Sequence, residues 1–137
     1  MAKNTRKILP EDAVALICMC AIQADTRIKP VELKKLVHMI SLSPLYKHIN
    51  DPVEYISGLN REFSGQEVEK IIDDCIDSMA PSLRETAYAW AYEAVMADSG
   101  VSQEEHVCLT LLVKKMGIHG DLAGKIGTVV AILNRKK

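Results

Sequence analysis

Apolar residues recur along this chain at helical spacing, and no segment alternates apolar with polar residues as a half-buried strand would. Pro10, Glu11 and Asp12 suit the first turn of a helix, and Ala13–Ile22 behind them is an unbroken apolar run. This predicts a helix to about Ala24, buried on nearly all sides. Pro30 opens a second helix whose Leu33, Leu36, Val37 and Ile40 fall at i, i+3, i+4 and i+7, until Ser41–Pro44 breaks it. Leu45–Ile49 reads as a single turn. Asp51 caps and Pro52 opens a third helix, with Val53, Ile56, Leu59 and Phe63 inward, weakened by Gly58 and ended by Ser64 and Gly65. The fourth helix, about Gln66–Met79, sets Val68, Ile71, Ile72, Cys75, Ile76 and Met79 on one face. Pro81 opens a fifth that runs to Ala97, where Ala87, Ala91 and Ala94 form a smooth strip and Trp90 is the one large anchor. Ser102 caps a sixth, buried through Val107, Cys108, Leu111, Leu112 and Met116 and ended by Gly117. The last, about Asp121–Asn134, turns Leu122, Ile126, Val129, Val130 and Leu133 inward. The expectation is an all-α single domain of about seven helices over residues 10–137, preceded by a flexible N-terminal segment, residues 1–9.

The most specific feature is an internal repeat. Ala21–Glu32 and Ala94–Glu105, laid in register, share the pattern A-D-x-x-[IV]-x-x-x-E. Ala24 meets Ala97, Asp25 meets Asp98, Ile28 meets Val101 and Glu32 meets Glu105. Two copies predict two pseudo-symmetric helix–turn–helix halves, bridged by the fourth helix. In the second copy Ser102 and Glu105 are spaced as a capping box. In the first, Lys29 stands where Ser102 does and offers no such cap.

Composition narrows the class. At 137 residues the chain makes one domain, and with 48% apolar but only 4% aromatic residues its core is aliphatic and alanine-rich. A formal net charge of −1 argues against a nucleic-acid binder, which would be basic. The four cysteines form no CxxC pair, and Cys18, Cys75 and Cys108 lie in apolar helical patterns. They read as buried free thiols in a reducing compartment, so the expected location is cytoplasmic. Ala13–Ile22 falls far short of the ~20 residues that span a bilayer. Met1–Leu9 lacks a signal-peptide apolar core. Membrane association is therefore expected only through a partner.

The candidate chemistry is acidic. Asp25, Ile28 and Glu32, and likewise Asp98, Val101 and Glu105, match the back half of an EF-hand loop. Ala21 and Gln23, or Ala94 and Met96, stand where the front ligands would be, which excludes an ordinary calcium loop. Two readings stand. Asp25, Glu32, Asp98 and Glu105 close turns and cap helices, or the two turns meet and build a joint site for a divalent cation or a basic partner segment. Glu69, Asp73 and Asp77 stand four apart on the fourth helix. They form either a solvated face or a docking strip for a cation or basic partner. Cys18 and Cys20 are about 200° apart around a helix and cannot chelate one ion together. His38, His48, His106 and His119 lack ligand spacing, and no nucleophile motif or phosphate loop occurs. The reading is a non-enzymatic module that binds another protein; the alternative is a small metal-dependent enzyme or a co-chaperone-type scaffold domain.

The doubled turn resembles that of the tellurite-resistance TerB-like family, which shows Ala-Asp-Gly, an aliphatic residue, then S/T/D-x-x-E opening the next helix. Ala97-Asp98-Ser99-Gly100-Val101-Ser102-Gln103-Glu104-Glu105 carries the better match. Ala24–Glu32 carries the weaker one, and helix order extends the resemblance over most of Pro10–Asn134. It implies an all-α, internally repeated fold and a metal-sensing or scaffold role in tellurite resistance and stress response, near membrane-associated complexes. Related domains occur beside chaperone J-domains. This chain departs from the pattern: Thr26 and Ser99 follow the aspartates in place of glycine, and Arg27 and Lys29 add positive charge beside Asp25. The second turn is therefore expected to dominate any cation site.

Overall fold

The computed structural model describes residues 8–24, 29–97 and 100–135. They form seven α-helices in the order α1 (Pro10–Ile22), α2 (Pro30–Leu42), α3 (Pro52–Phe63), α4 (Val68–Asp77), α5 (Pro81–Val95), α6 (Gln103–Met116) and α7 (Gly120–Leu133). A single 3-10 turn, Pro44–Tyr46, lies between α2 and α3. No described residue is in a strand, so the all-α reading holds.

All five prolines start these elements, where the missing N–H has no intrahelical partner to lose. Side chains supply some of the remaining caps. The Glu54 N–H donates to the Asp51 carboxylate at 3.1 Å. At the start of α6 the capping box is complete. The Glu105 N–H donates to Ser102 Oγ at 3.1 Å, and the Ser102 N–H donates back to Glu105 Oε1 at 3.0 Å. Lys29 provides no side-chain cap for α2. Gly117 closes α6 at φ 68°, in the left-handed region that glycine tolerates best.

Helix α1 is the axis of the fold. It packs most extensively on α5, with α4 and α6 against it and α2 and α3 completing its surround. Ala13, Ala15 and Ala21 of α1 and Ala87, Ala91 and Ala94 of α5 are all at 0% exposure. Small side chains on both helices let the backbones approach closely. Ile8 also lies in the core, so packing begins before Pro10. The large aromatic anchor is Tyr46, whose ring meets Trp90 at 5.7 Å and whose hydroxyl donates to the Glu11 carbonyl at 2.7 Å. Trp90 itself is only half-buried. Tyr55 donates to the Asp12 carboxylate, which accounts for that buried acid.

Several inward assignments fail. Val53 is 60% exposed, because the stripe of α3 is held by Ile56, Leu59 and Phe63 and Val53 lies in the first turn before it. Val68, at the first position of α4, is likewise exposed. On α6 the buried stripe is Glu105, Cys108, Leu109, Leu112 and Met116, which turns Val107 outward. The largest departure is α7. It packs chiefly on α5, so only Val130 is fully buried, while Val129, Ile132 and Leu133 stand exposed.

Candidate functional site

The repeated motif ends in the first turns of α2 and α6, and the fold brings those turns together. Glu32 and Glu105 hold the same helical position, the third residue of α2 and of α6. Both are at 0% exposure. One side chain lies between them: Lys29 Nζ stands 3.7 Å from Glu32 Oε2 and 3.8 Å from Glu105 Oε2. Glu105 thus has two duties. Its Oε1 closes the capping box and its Oε2 faces the ammonium. Buried carboxylates need paired charge or hydrogen bonds to stay ionised, and Lys29 supplies part of that charge from within the chain.

Asp25 and Asp98, the other two residues of the expected joint site, lie outside the described residues. Where the four carboxylates were expected on one surface, the described pair is buried. Their sequence neighbours Pro30, Val31, Gly100, Gln103 and Glu104 are exposed. Among the described residues no group of three or more His, Cys, Asp and Glu side chains gathers as a metal cage. The described pair is a poor fit for a hard cation while Lys29 is in place. An ammonium and a divalent ion would compete for the same two oxygens and repel each other.

The secondary acidic row on α4 is largely taken up by the protein itself. Lys115 of α6 reaches Asp73 at 2.8 Å and Glu69 at 3.8 Å. Asp73 above all holds the Lys115 ammonium above its usual range. Asp77, exposed one turn further on, makes no ion pair among the described residues. Sequence spacing found the row but could not find the cation, which comes from a helix far along the chain.

Two of the concave sites among the described residues lie between several helices. One, of about 530 Å³, lies between α1, α3, α4 and α6 and includes Leu16, Cys20, Phe63, Ile72, Glu104 and Cys108. Burial, and then the Glu105 carboxylate, push the Cys108 thiol up to about 11; burial, and then Cys108, push Cys20 up to about 12. These thiols stay protonated near neutral pH and provide no thiolate nucleophile. The other is an open groove of about 880 Å³ between α2, α5 and α7, floored by Trp90 and Ile126 and edged by Leu42, Val129 and Leu133. The sequence reading missed it, because it assigned Val129 and Leu133 to the interior. The available signal was the composition of α7, nearly all apolar with only Asp121 and Lys125 charged. No helix of the described residues is long and apolar enough to cross a membrane. Compared with known proteins, the chain matches no family model, no curated protein and no solved structure.

Proposed function

We propose that this chain is a non-enzymatic, TerB-like interaction module whose two repeated turns act as a pseudo-symmetric pair and present an acidic platform to a partner protein. The observation that carries this reading is the meeting of Glu32 and Glu105 on Lys29. An internal ammonium between two first-turn glutamates ties one helix–turn–helix joint to the other. That holds the first turns of α2 and α6 against each other, and a preorganised surface costs less to bind. Asp25, Asp98 and the exposed Glu104 give the turn region its acidic character, and a basic partner segment is the complementary ligand. The stress-response and tellurite-resistance roles belong to the resemblance and stand with it as part of this reading.

A divalent cation is the second ligand of this reading. Lys29 already takes the place between the two buried carboxylates, which favours the partner protein. The test joins both arms. The protein carrying Asp25→Lys and Asp98→Lys is compared with the unaltered chain in capture from its native cell. Calcium, magnesium, manganese and zinc are titrated separately against amide chemical shifts. Loss of a captured protein at unchanged helix content is expected, with no saturable shift below millimolar ion. Equal capture by both forms would sink the platform. Saturable shifts clustered at 98–105 and absent in Asp98→Asn would move the reading to metal.

A further inference from the structure

We infer that the groove between α2, α5 and α7 is a second docking site, and that its occupant is an amphipathic helix of another protein with acidic residues flanking its apolar face. The inference goes beyond the acidic platform, since the groove shares no residue with Lys29, Glu32 or Glu105.

Three observations lead to it. The first is exposed apolar area at one place: Leu42 is 71% exposed, Leu133 69% and Val129 53%, and all three edge the same groove. Scattered apolar residues need no explanation, but a contiguous apolar patch marks an interaction surface. The second is that the groove is held in shape by polar bonds. Glu93 of α5 pairs with Lys35 of α2 at 2.7 Å and accepts from Asn134 Nδ2, at the end of α7, at 2.8 Å. One carboxylate therefore links all three walls, and the site is preformed.

The third observation concerns charge. Glu93 is the acid of the lining and Lys35 matches it. That leaves Lys125, which is exposed, without an ion pair among the described residues. The rim is therefore net basic, and an apolar groove with a basic rim complements a helix with an acidic flank. Among the described residues, the acidic and the exposed apolar helices of a second copy do not offer such a face. Its acidic helix, α4, already buries its apolar face through Ile71, Ile72, Cys75 and Ile76, and α7 carries one acid and one base.

The test uses the single tryptophan, Trp90, which lines the groove, as its own probe. Two synthetic helical peptides are titrated against the intact protein, with the same leucine stripe at i, i+3, i+4 and i+7 and either Glu or Lys at the flanking positions. The Glu-flanked peptide is expected to shift Trp90 emission saturably and to bind about tenfold more tightly than the Lys-flanked one. Leu42→Asp with Leu133→Asp should abolish binding at unchanged helix content, because both positions are exposed. Lys125→Glu should remove the preference for the acidic flank. Equal or tighter binding of the Lys-flanked peptide overturns the charge argument, and no saturable response from either peptide overturns the site. A concentration-dependent dimer lost in Leu133→Asp shows that a second copy fills the groove, and also overturns the proposal. Asp25→Lys with Asp98→Lys should leave peptide binding intact, so failure of the platform and failure of the groove are separately visible.

Discussion

Lys29 and Ser102 occupy equivalent places before α2 and α6 and stabilise those helices by different means. Ser102 satisfies a helix N–H directly, at 3.1 Å from Glu105 N. Its replacement by Ala should cost about 1 kcal/mol, the usual loss of an N-cap. Lys29 caps nothing with its side chain, and on spacing alone Lys29→Ala is expected to be the milder change. The tertiary contacts reverse that expectation. Removing the ammonium takes a shared positive charge from two carboxylates at 0% exposure, and removing one partner of a buried charge is among the more harmful lesions. Lys29→Ala should therefore lower stability by more than Ser102→Ala. Chemical denaturation of the two variants compares them directly. A Lys29→Ala as mild as Ser102→Ala would mean that the ammonium contributes little at its separation from the carboxylates.

At the scale of the element, helix ends were readable where backbone chemistry sets them. Pro10, Pro30, Pro52 and Pro81 start helices because proline fits the first turn, and Gly117 ends one because its φ is positive. Two glycines separate these effects. Gly117→Ala places a Cβ in a left-handed conformation and should cost about 1–2 kcal/mol, although nothing crowds it. Gly58 lies inside α3, where a Cβ would meet only Arg61 Nη2, at 3.9 Å. Gly58→Ala should therefore stabilise by about 0.5–1 kcal/mol through lower chain entropy in the unfolded state. Thermal unfolding of the pair reads both signs, and a destabilised Gly58→Ala would show that α3 bends at that residue. Apolar faces were less readable than ends. A stripe such as Leu122, Ile126, Val129 and Leu133 says which side of α7 is apolar. It does not say how much of that side a neighbour covers, and here only Val130 is buried while Leu122 and Ile126 are half-covered and Val129 and Leu133 stand exposed.

At the scale of the whole molecule, α1 and its surround place Cys18, Cys75 and Cys108 within one core cluster, with half-buried Cys20 packed against it. Burial raises all four thiols above their ordinary value. The sign of the pH dependence follows. An unfolded thiol with pKa near 9.0 loses its proton before the folded one does, at about 11 for Cys108 and about 12 for Cys20. Below pH 9 the contribution to stability is fully present. As pH rises from 9 through 11 to 12, the unfolded state is favoured and stability falls. Denaturant titrations across that range should show the decline, and Cys108→Ala should reduce it. At neutral pH the native protein should label slowly with a thiol reagent, and all four cysteines should label rapidly in denaturant. Rapid native labelling of most of them would contradict a closed core around α1.

Local rules carried the reading from residues to helices. Helical spacing, four helix-opening prolines and the capping box depend on groups within a few positions of one another, so they were legible before any fold was known. The register of Glu32 with Glu105 was legible too, as a repeat. That both side chains would be buried, and would share Lys29, was decided by the packing of α1 against α5, with the starts of α2 and α6 side by side. The same holds for Lys115 on the α4 row and for Glu93 holding three walls of the groove. Charge pairing and burial depend on distances between residues far apart in the chain, and spacing along a single helix carries no information about them.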